Sequence, residues 1–321
     1  MPTEAPDLSR GLLWYRKADG LLYTGVVGQP ASFAWDDTPA QAFALWSYRP
    51  SDGSWNFVLS GLSSRMQPFR RPDQSLDGFA DDVGFALNGV DQFGTRIDGL
   101  LEVDLGTKML SNGSMSTGFG SRIYHGRMQF VPIYGKKGIM IPMGGQLIGD
   151  TWADMSIIHV YDILSKTFHN QTATGNIPTG RADYCVAGAA STNNTYEIFF
   201  YGGFQSTGND SVQFDTIHIL SLPAFHWIQV NYPPSSPRSS HTCTTFHNTA
   251  QIISHGGTDP AASGRNFTQL SQTIFSTADP RKQGLGIFNL TSLTWKDSFD
   301  PNAPPYVQSD PIKQYYAQAG Q

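Results

Sequence analysis

Apolar residues in this chain come in short runs, separated by clusters of Gly, Ser, Asn, Asp and Pro. That pattern predicts short strands joined by turns, not helices. Three of the runs end in a glycine pair: "GIMIPMGG" at Gly144 and Gly145, "YEIFFYGG" at Gly202 and Gly203, and "AQIISHGG" at Gly256 and Gly257. A weaker copy, "VGFALNG", ends at Asn88 and Gly89. The copies recur at intervals of about 54 to 58 residues, so the chain is read as an array of similar units.

After each doublet come a loop, an apolar strand, a turn and a second strand that often carries an aromatic residue. "IIHVYDILSKTFHNQ" aligns with "TIHILSLPAFHWIQ" and with "GIFNLTSLTWKDSF". "FALWSYRPSDGSWNFV" and "GLLEVDLGTKML" are looser versions, which makes five hairpins. Before the strong doublets lies a further strand introduced by an arginine, as in "RADYCVAGAA" from Arg181, "RSSHTCTTF" from Arg238 and "GRMQFVPI" near Arg127. Each unit is therefore expected to be four short strands. One such unit cannot bury both of its faces, so neighbours must stack.

These residues resemble the kelch-repeat family: a hydrophobic run, a Gly-Gly pair, then a Tyr and a Trp further on. Tyr161, Trp227 and Trp295 fit the later aromatic positions, with Phe168 in place of Trp in one copy. The match is best from Ser121 to Phe299. The resemblance implies an all-β, kelch-type β-propeller, with the doublet at the end of the second strand of each blade. Five blades are recognisable, and the expectation is a six-bladed or incomplete propeller. Residues 1–10 are read as an N-terminal extension, 11–300 as the propeller, and 301–321 as a C-terminal tail or partial closing blade. More narrowly, the long blades and the tail look like kelch ectodomains of fungal secreted or single-span membrane proteins.

Composition adjusts this picture in two ways. The only Glu residues are Glu4, Glu102 and Glu197, which leaves few helix formers, and a net charge of -5 without a basic block gives no electrostatic case for nucleic acid. Asn112, Asn170, Asn193, Asn209, Asn266 and Asn289 all head N-glycosylation sequons, where chance would give about two. The excess favours an extracellular or membrane-anchored ectodomain, although the chain shows neither a signal peptide nor an apolar span; the alternative is a cytoplasmic protein.

Candidate chemistry is sparse. The doublets lead into Ser/Thr/Asn-rich loops and strands, not into a helix that would cradle phosphate, so Gly89, Gly144, Gly145, Gly202, Gly203, Gly256 and Gly257 are read as structural. Cys185 and Cys243 occupy equivalent places on adjacent innermost strands and form either a disulfide stapling two blades or two buried thiols. His159 and His218, and His169 and His226, recur as repeats do. His241 and His255 with Tyr184 would be the residues of interest if the resemblance extended to galactose oxidase, a copper-radical carbohydrate oxidase whose central domain is a kelch propeller. Asp36-Asp37 and Asp81-Asp82 read as turns, and no nucleophile elbow appears. No catalytic, cofactor-binding or metal residue is assigned and no cofactor is expected.

The expectation is accordingly a non-enzymatic propeller that binds a protein or glycan through its rim loops. The loops Phe204 to Phe214 and Thr258 to Phe275, with Arg265 and Phe267, are where recognition is sought. The galactose oxidase-like enzyme and a cytoplasmic kelch adaptor are the alternatives.

Overall fold

A strand flanked by neighbours on both faces has no polar side to offer, and "YEIFFY" shows this directly. It forms a strand, Tyr196–Tyr201, whose six residues are all buried. The structure, a computed structural model, describes residues 12–28, 41–60, 75–90, 96–113, 123–147, 151–207, 210–233, 237–258, 279 and 281–320. Arg265, Phe267, Asn209, Asn266 and Asp36-Asp37 lie outside them.

Among the described residues the fold is all-β, with five four-stranded antiparallel blades of a β-propeller and one C-terminal helix. Blade 1 comprises β1 (Leu12–Arg16), β2 (Leu21–Gly28), β3 (Gln41–Arg49) and β4 (Ser54–Ser60). Blade 2 comprises β5 (Leu76–Ala80), β6 (Val83–Val90), β7 (Arg96–Asp104) and β8 (Met109–Gly113). These two belong to one compact unit, residues 1–125. Trp14 and Tyr23 of blade 1 pack there with Ala86, Leu101 and Val103 of blade 2. The Trp14 indole lies so close to Gly84 that a Cβ at that position would come within 2.5 Å of the ring. Asp81 and Asp82 form the β5–β6 turn, and Asp82 pairs with Arg16 at 3.0 Å.

The second unit, residues 126–321, holds the other three blades. Blade 3 is β9 (Arg127–Val131), β10 (Ile139–Met143), β11 (Ile157–Asp162) and β12 (Thr167–Thr172). The short β13 (Thr174–Gly175) then runs parallel to the outer edge of blade 4. Blade 4 consists of β14 (Cys185–Ala190), β15 (Tyr196–Tyr201), β18 (Ile217–Leu222) and β19 (His226–Gln229). Between β15 and β18 a separate hairpin is formed by β16 (Phe204–Thr207) and β17 (Asp210–Gln213). Blade 5 is β20 (Thr242–Thr245), β21 (Gln251–His255), β22 (Leu285–Asn289) and β23 (Thr294–Lys296).

Strand alternation divides blade 4 between two cores. Tyr196, Ile198 and Phe200 of β15 face a cluster with Ile141 and Val160 of blade 3. Phe199 and Tyr201 face Ile252 and Phe288 of blade 5. Each fully buried aromatic contributes roughly 1.5–3 kcal/mol, so blade 4 is the anchor of the unit. Trp227, fully buried, adds a directional bond by donating its indole N–H to the Met155 carbonyl beside blade 3 at 3.1 Å. Trp295 occupies the matching place in blade 5 and meets Tyr201 edge to face. Tyr161 is buried against Phe168.

The strong doublets close their second strands, and those of blades 3 and 4 also reach the next blade. Both glycines of each strong pair have positive φ, between 55° and 91°, a turn that only glycine adopts freely. This conformation aims the second N–H outward: Gly145 donates to the Arg181 carbonyl at 2.9 Å and Gly203 to the Arg238 carbonyl at 2.8 Å. Each acceptor belongs to the following blade. The arginine side chains return the contact within their own blade, Arg181 donating to the Gly202 carbonyl at 3.2 Å and Arg238 to that of Gly256 at 2.5 Å. The weaker copy behaves differently, because β6 continues past Gly89 to Val90 through an irregularity in its pairing with β7.

Residues 301–320 contribute an isolated bridge, Thr249 to Pro305, and the helix α1 (Asp310–Gln318). Ile312 and Tyr316 of α1 enter the core between blades 4 and 5. Beneath them lies Glu197, fully buried on β15 opposite Ser221, whose hydroxyl donates to its Oε1 at 3.0 Å. Tyr306 lies close enough to couple to this carboxyl, though outside hydrogen-bond geometry. Burial pushes the Glu197 carboxyl up from its ordinary 4.5 to about 7. Among the described residues no helix is long and apolar enough to cross a membrane.

Two outcomes are expected. A Cβ at Gly257 would meet the Ser239 carbonyl at 2.5 Å, whereas one at Gly256 meets nothing within 4 Å, and both residues have positive φ. Gly256→Ala should cost about 1 kcal/mol and Gly257→Ala about 2–5 kcal/mol in chemical denaturation; equal losses would remove the packing role. The second concerns Glu197, which keeps its proton in the folded chain after the unfolded chain has lost it. Stability should be full below about pH 4.5 and decline as pH rises through about 7, by about 3 kcal/mol in all. Glu197→Gln should abolish that decline, and a wild-type minus variant difference that is flat with pH would refute it.

Candidate functional site

The doublet end of blade 4 carries a described hairpin of its own. Following Gly203, the chain folds into the β16–β17 hairpin, paired from Phe204↔Gln213 to Thr207↔Asp210, where a loop was expected. Phe204 also bridges Ala182, which ties the base of the hairpin to the innermost side of the blade. Further along it Val212 is 46% exposed, a large apolar side chain presented to solvent. Thr258, at the same place in blade 5, bridges Ser239, and residues 259–278 beyond it lie outside the described residues.

Beside the hairpin a polar cleft of about 350 Å³ is lined by Asn176, Asp215, Thr216, Gln229, Val230, Asn231 and Tyr232. Asp215 organises its wall. The Tyr232 hydroxyl lies 2.7 Å from its carboxylate, and the Tyr201 hydroxyl donates to the same oxygen at 3.3 Å. Arg281 in turn donates to the Tyr201 oxygen at 2.9 Å and lies over the Trp295 ring, 3.9 Å from its centroid. Burial pushes the Tyr201 hydroxyl up to about 12, and burial followed by the Asp215 contact raises that of Tyr232. Both hydroxyls therefore remain donors at neutral pH.

On the other side of Thr216, Arg181 is almost wholly buried, donates to the Thr216 hydroxyl at 3.1 Å and stacks on Phe214 at 3.6 Å. Arg238 is held by a two-pronged contact to Asp279 at 2.9 and 3.0 Å. The repeated arginines are thus committed to the scaffold. What remains presented is the hairpin and the cleft.

The two cysteines are brought together. Their Cα atoms are 5.4 Å apart and their sulfurs form a disulfide across 58 residues. Their places are not equivalent, however. Cys185 pairs with Tyr201, the last residue before its doublet, whereas Thr242 holds that place in blade 5 and Cys243 pairs with Ser254. The one-residue offset is required, since residues in equal register on stacked blades point the same way and cannot meet. Offset by one, the side chains point toward each other.

His241 lies beside this bridge, fully buried. Burial, followed by the charges of Arg238, Arg281 and Arg127, pulls its pKa down to about 3 and keeps the ring neutral. The Tyr201 carbonyl is near but not in hydrogen-bonding geometry, and neither ring nitrogen has a partner. His255 is exposed, and the Tyr184 hydroxyl donates to the Met143 carbonyl while accepting from the Arg127 N–H. The cluster around His241 contains the cysteines and not His255. His159 and His218 do hold matching places, opposite Asn170 and Gln229. His169 and His226 do not, being opposite Val160 and Ser221: the two turns are equally long, and His226 directly follows its turn, at the place of Thr167, whereas His169 lies two residues further along its strand.

Three sequon asparagines have described side chains. Asn170 is exposed and bonds His159 at 2.7 Å. Asn193 is also exposed, but its amide nitrogen donates to buried Gln308 at 2.9 Å. Asn289 caps the β22–β23 turn by accepting the N–H groups of Thr291 and Ser292. Asn112 lies on β8, and its side chain is outside the described set.

The network around Asp215 left no trace in the sequence, because its members come from four separate segments. Tyr232→Phe should remove the hydroxyl that lies 2.5 Å from the Asp215 main-chain carbonyl and 2.7 Å from its carboxylate, and lower stability by about 1–2 kcal/mol in urea denaturation; no loss would show that Tyr232 does not hold the cleft.

No protein-family model matches the chain. A kelch repeat-containing protein of Arthroderma benhamiae is 24% identical over 92% of the chain and 48% of its own length. The chain thus spans about half the length of the curated relative it matches. Among solved structures, that of YjhT is similar with a TM-score of 0.57 and 13% identity, covering 78% of this chain and 77% of the other, and this likeness concerns the fold. The repeated doublets, the four-stranded blades and this relative agree: the chain is a β-propeller and is similar to a kelch repeat-containing protein.

Proposed function

We propose that this propeller is a protein-interaction module that engages its partner through the doublet end of blade 4. The observation that carries the proposal is the β16–β17 hairpin. It interrupts a blade whose other parts repeat, presents the exposed Val212, and stands beside the cleft ordered by Asp215. A rigid blade with a non-repeating appendage suits recognition, since the scaffold is ordered before the partner arrives. An exposed apolar side chain close in sequence to a polar cleft is a combination that binding surfaces use.

An extracellular setting is part of this proposal, supported by the exposed Asn170 sequon and the disulfide. Unmodified Asn170 in protein made through a secretory pathway would remove that support.

The test is to cross-link the folded chain to its partner, identify that partner by mass spectrometry, and measure affinity for Val212→Asp and for a hairpin shortened to a two-residue turn. Val212→Asp should weaken binding about tenfold, equivalent to about 1.4 kcal/mol, and the shortened hairpin should abolish it while the melting temperature holds. Affinity untouched by both changes would contradict the proposal. Retention of a purified glycan in place of a protein would replace the partner class.

A further inference from the structure

The Cys185–Cys243 bridge explains the cysteines but not the histidine beside them. A disulfide needs no imidazole, and a buried ring with two unpartnered nitrogens is costly enough to call for a reason. One nitrogen of His241 and the two sulfurs all lie within 4.8 Å of one another. Two thiolates and an imidazole form a donor set suited to soft or borderline closed-shell cations. We propose that, with the bridge open, Cys185, Cys243 and His241 form a three-ligand site for a d10 cation, Cu+ or Zn2+.

The distances are compatible with such a site. Metal–sulfur bonds of about 2.3 Å set ligand atoms roughly 3.8 Å apart, inside the span observed here. Strands β14 and β20 need not separate, because rotation of the two cysteine side chains takes the sulfurs from bonded contact to that spacing. Charge also favours the complex. Two thiolates leave a site with Zn2+ neutral and one with Cu+ singly negative, and Arg127, Arg238 and Arg281 make the surroundings positive. Gly202 is required on the far side, since a Cβ there would come within 2.7 Å of the His241 ring.

The chemistry balances as two steps. A dithiol reductant passes two electrons and two protons to the S–S bond and closes to its own cyclic disulfide. The cation then displaces the two thiol protons to solvent. Bridge and metal are alternative states of one pair of cysteines, so oxidised protein is closed to the ion.

The full chain should be reduced with a dithiol under inert gas, freed of reductant, and titrated with Zn2+ and with Cu+ against a chromophoric chelator. The reduced chain should take up one equivalent of one of these ions and the unreduced chain none; the two titrations identify the ion. His241→Ala should weaken uptake about tenfold or more. X-ray absorption at the metal edge of the wild-type chain gives an answer even if that variant fails to fold, and it should show two sulfurs and one nitrogen. The proposal is overturned by reduced protein with two free thiols that binds neither ion, by uptake indifferent to His241, or by a shell without nitrogen.

Discussion

The bond from the second glycine of a doublet to the arginine carbonyl of the next blade is the constraint on which the rest of the 126–321 unit depends. Side-chain packing between blades is extensive but non-directional, and apolar faces slide past one another at little cost. Gly145 to Arg181 and Gly203 to Arg238 fix the register of one blade against the next. Both bonds exist because two consecutive left-handed residues turn an N–H out of its own sheet. The same arginines grip glycine carbonyls of their own blades, so the blade 4 doublet, Gly202 and Gly203, is held from two sides.

Everything placed on the scaffold inherits that register. The disulfide forms only because blades 4 and 5 are aligned closely enough for residues offset by one to meet. Glu197 is sealed because α1 finds the groove between the same two blades. The hairpin projects from the residue that follows a doublet, so its base is as fixed as the doublet itself. Function is best sought where the repeat is broken, since the repeating parts are occupied in holding one another.

Much of this architecture was legible in the sequence, for a physical reason. A strand buried on both faces is mostly apolar, and a left-handed pair packed against the next blade favours glycine, so "YEIFFYGG" and its fellows announce themselves. Trp227 and Trp295 were readable in the same way. The site was not. Tyr201, Asp215, Tyr232 and Arg281 are ordinary residues until the blade brings them together. The cysteines were visible as a pair, but their offset was not, because it depends on counting back from each doublet along a paired strand. Glu197 was passed over among three scarce glutamates, and its burial follows from α1, which a chain so poor in helix formers gave little cause to expect.

The central claim is that the doublet N–H groups staple blades to their neighbours, and amide hydrogen exchange at Gly145 and Gly203 tests it most directly. The account predicts that both amides exchange only when the unit opens, with protection matching that of the buried β15 amides. Rapid exchange at the two glycines while β15 stays protected would contradict it.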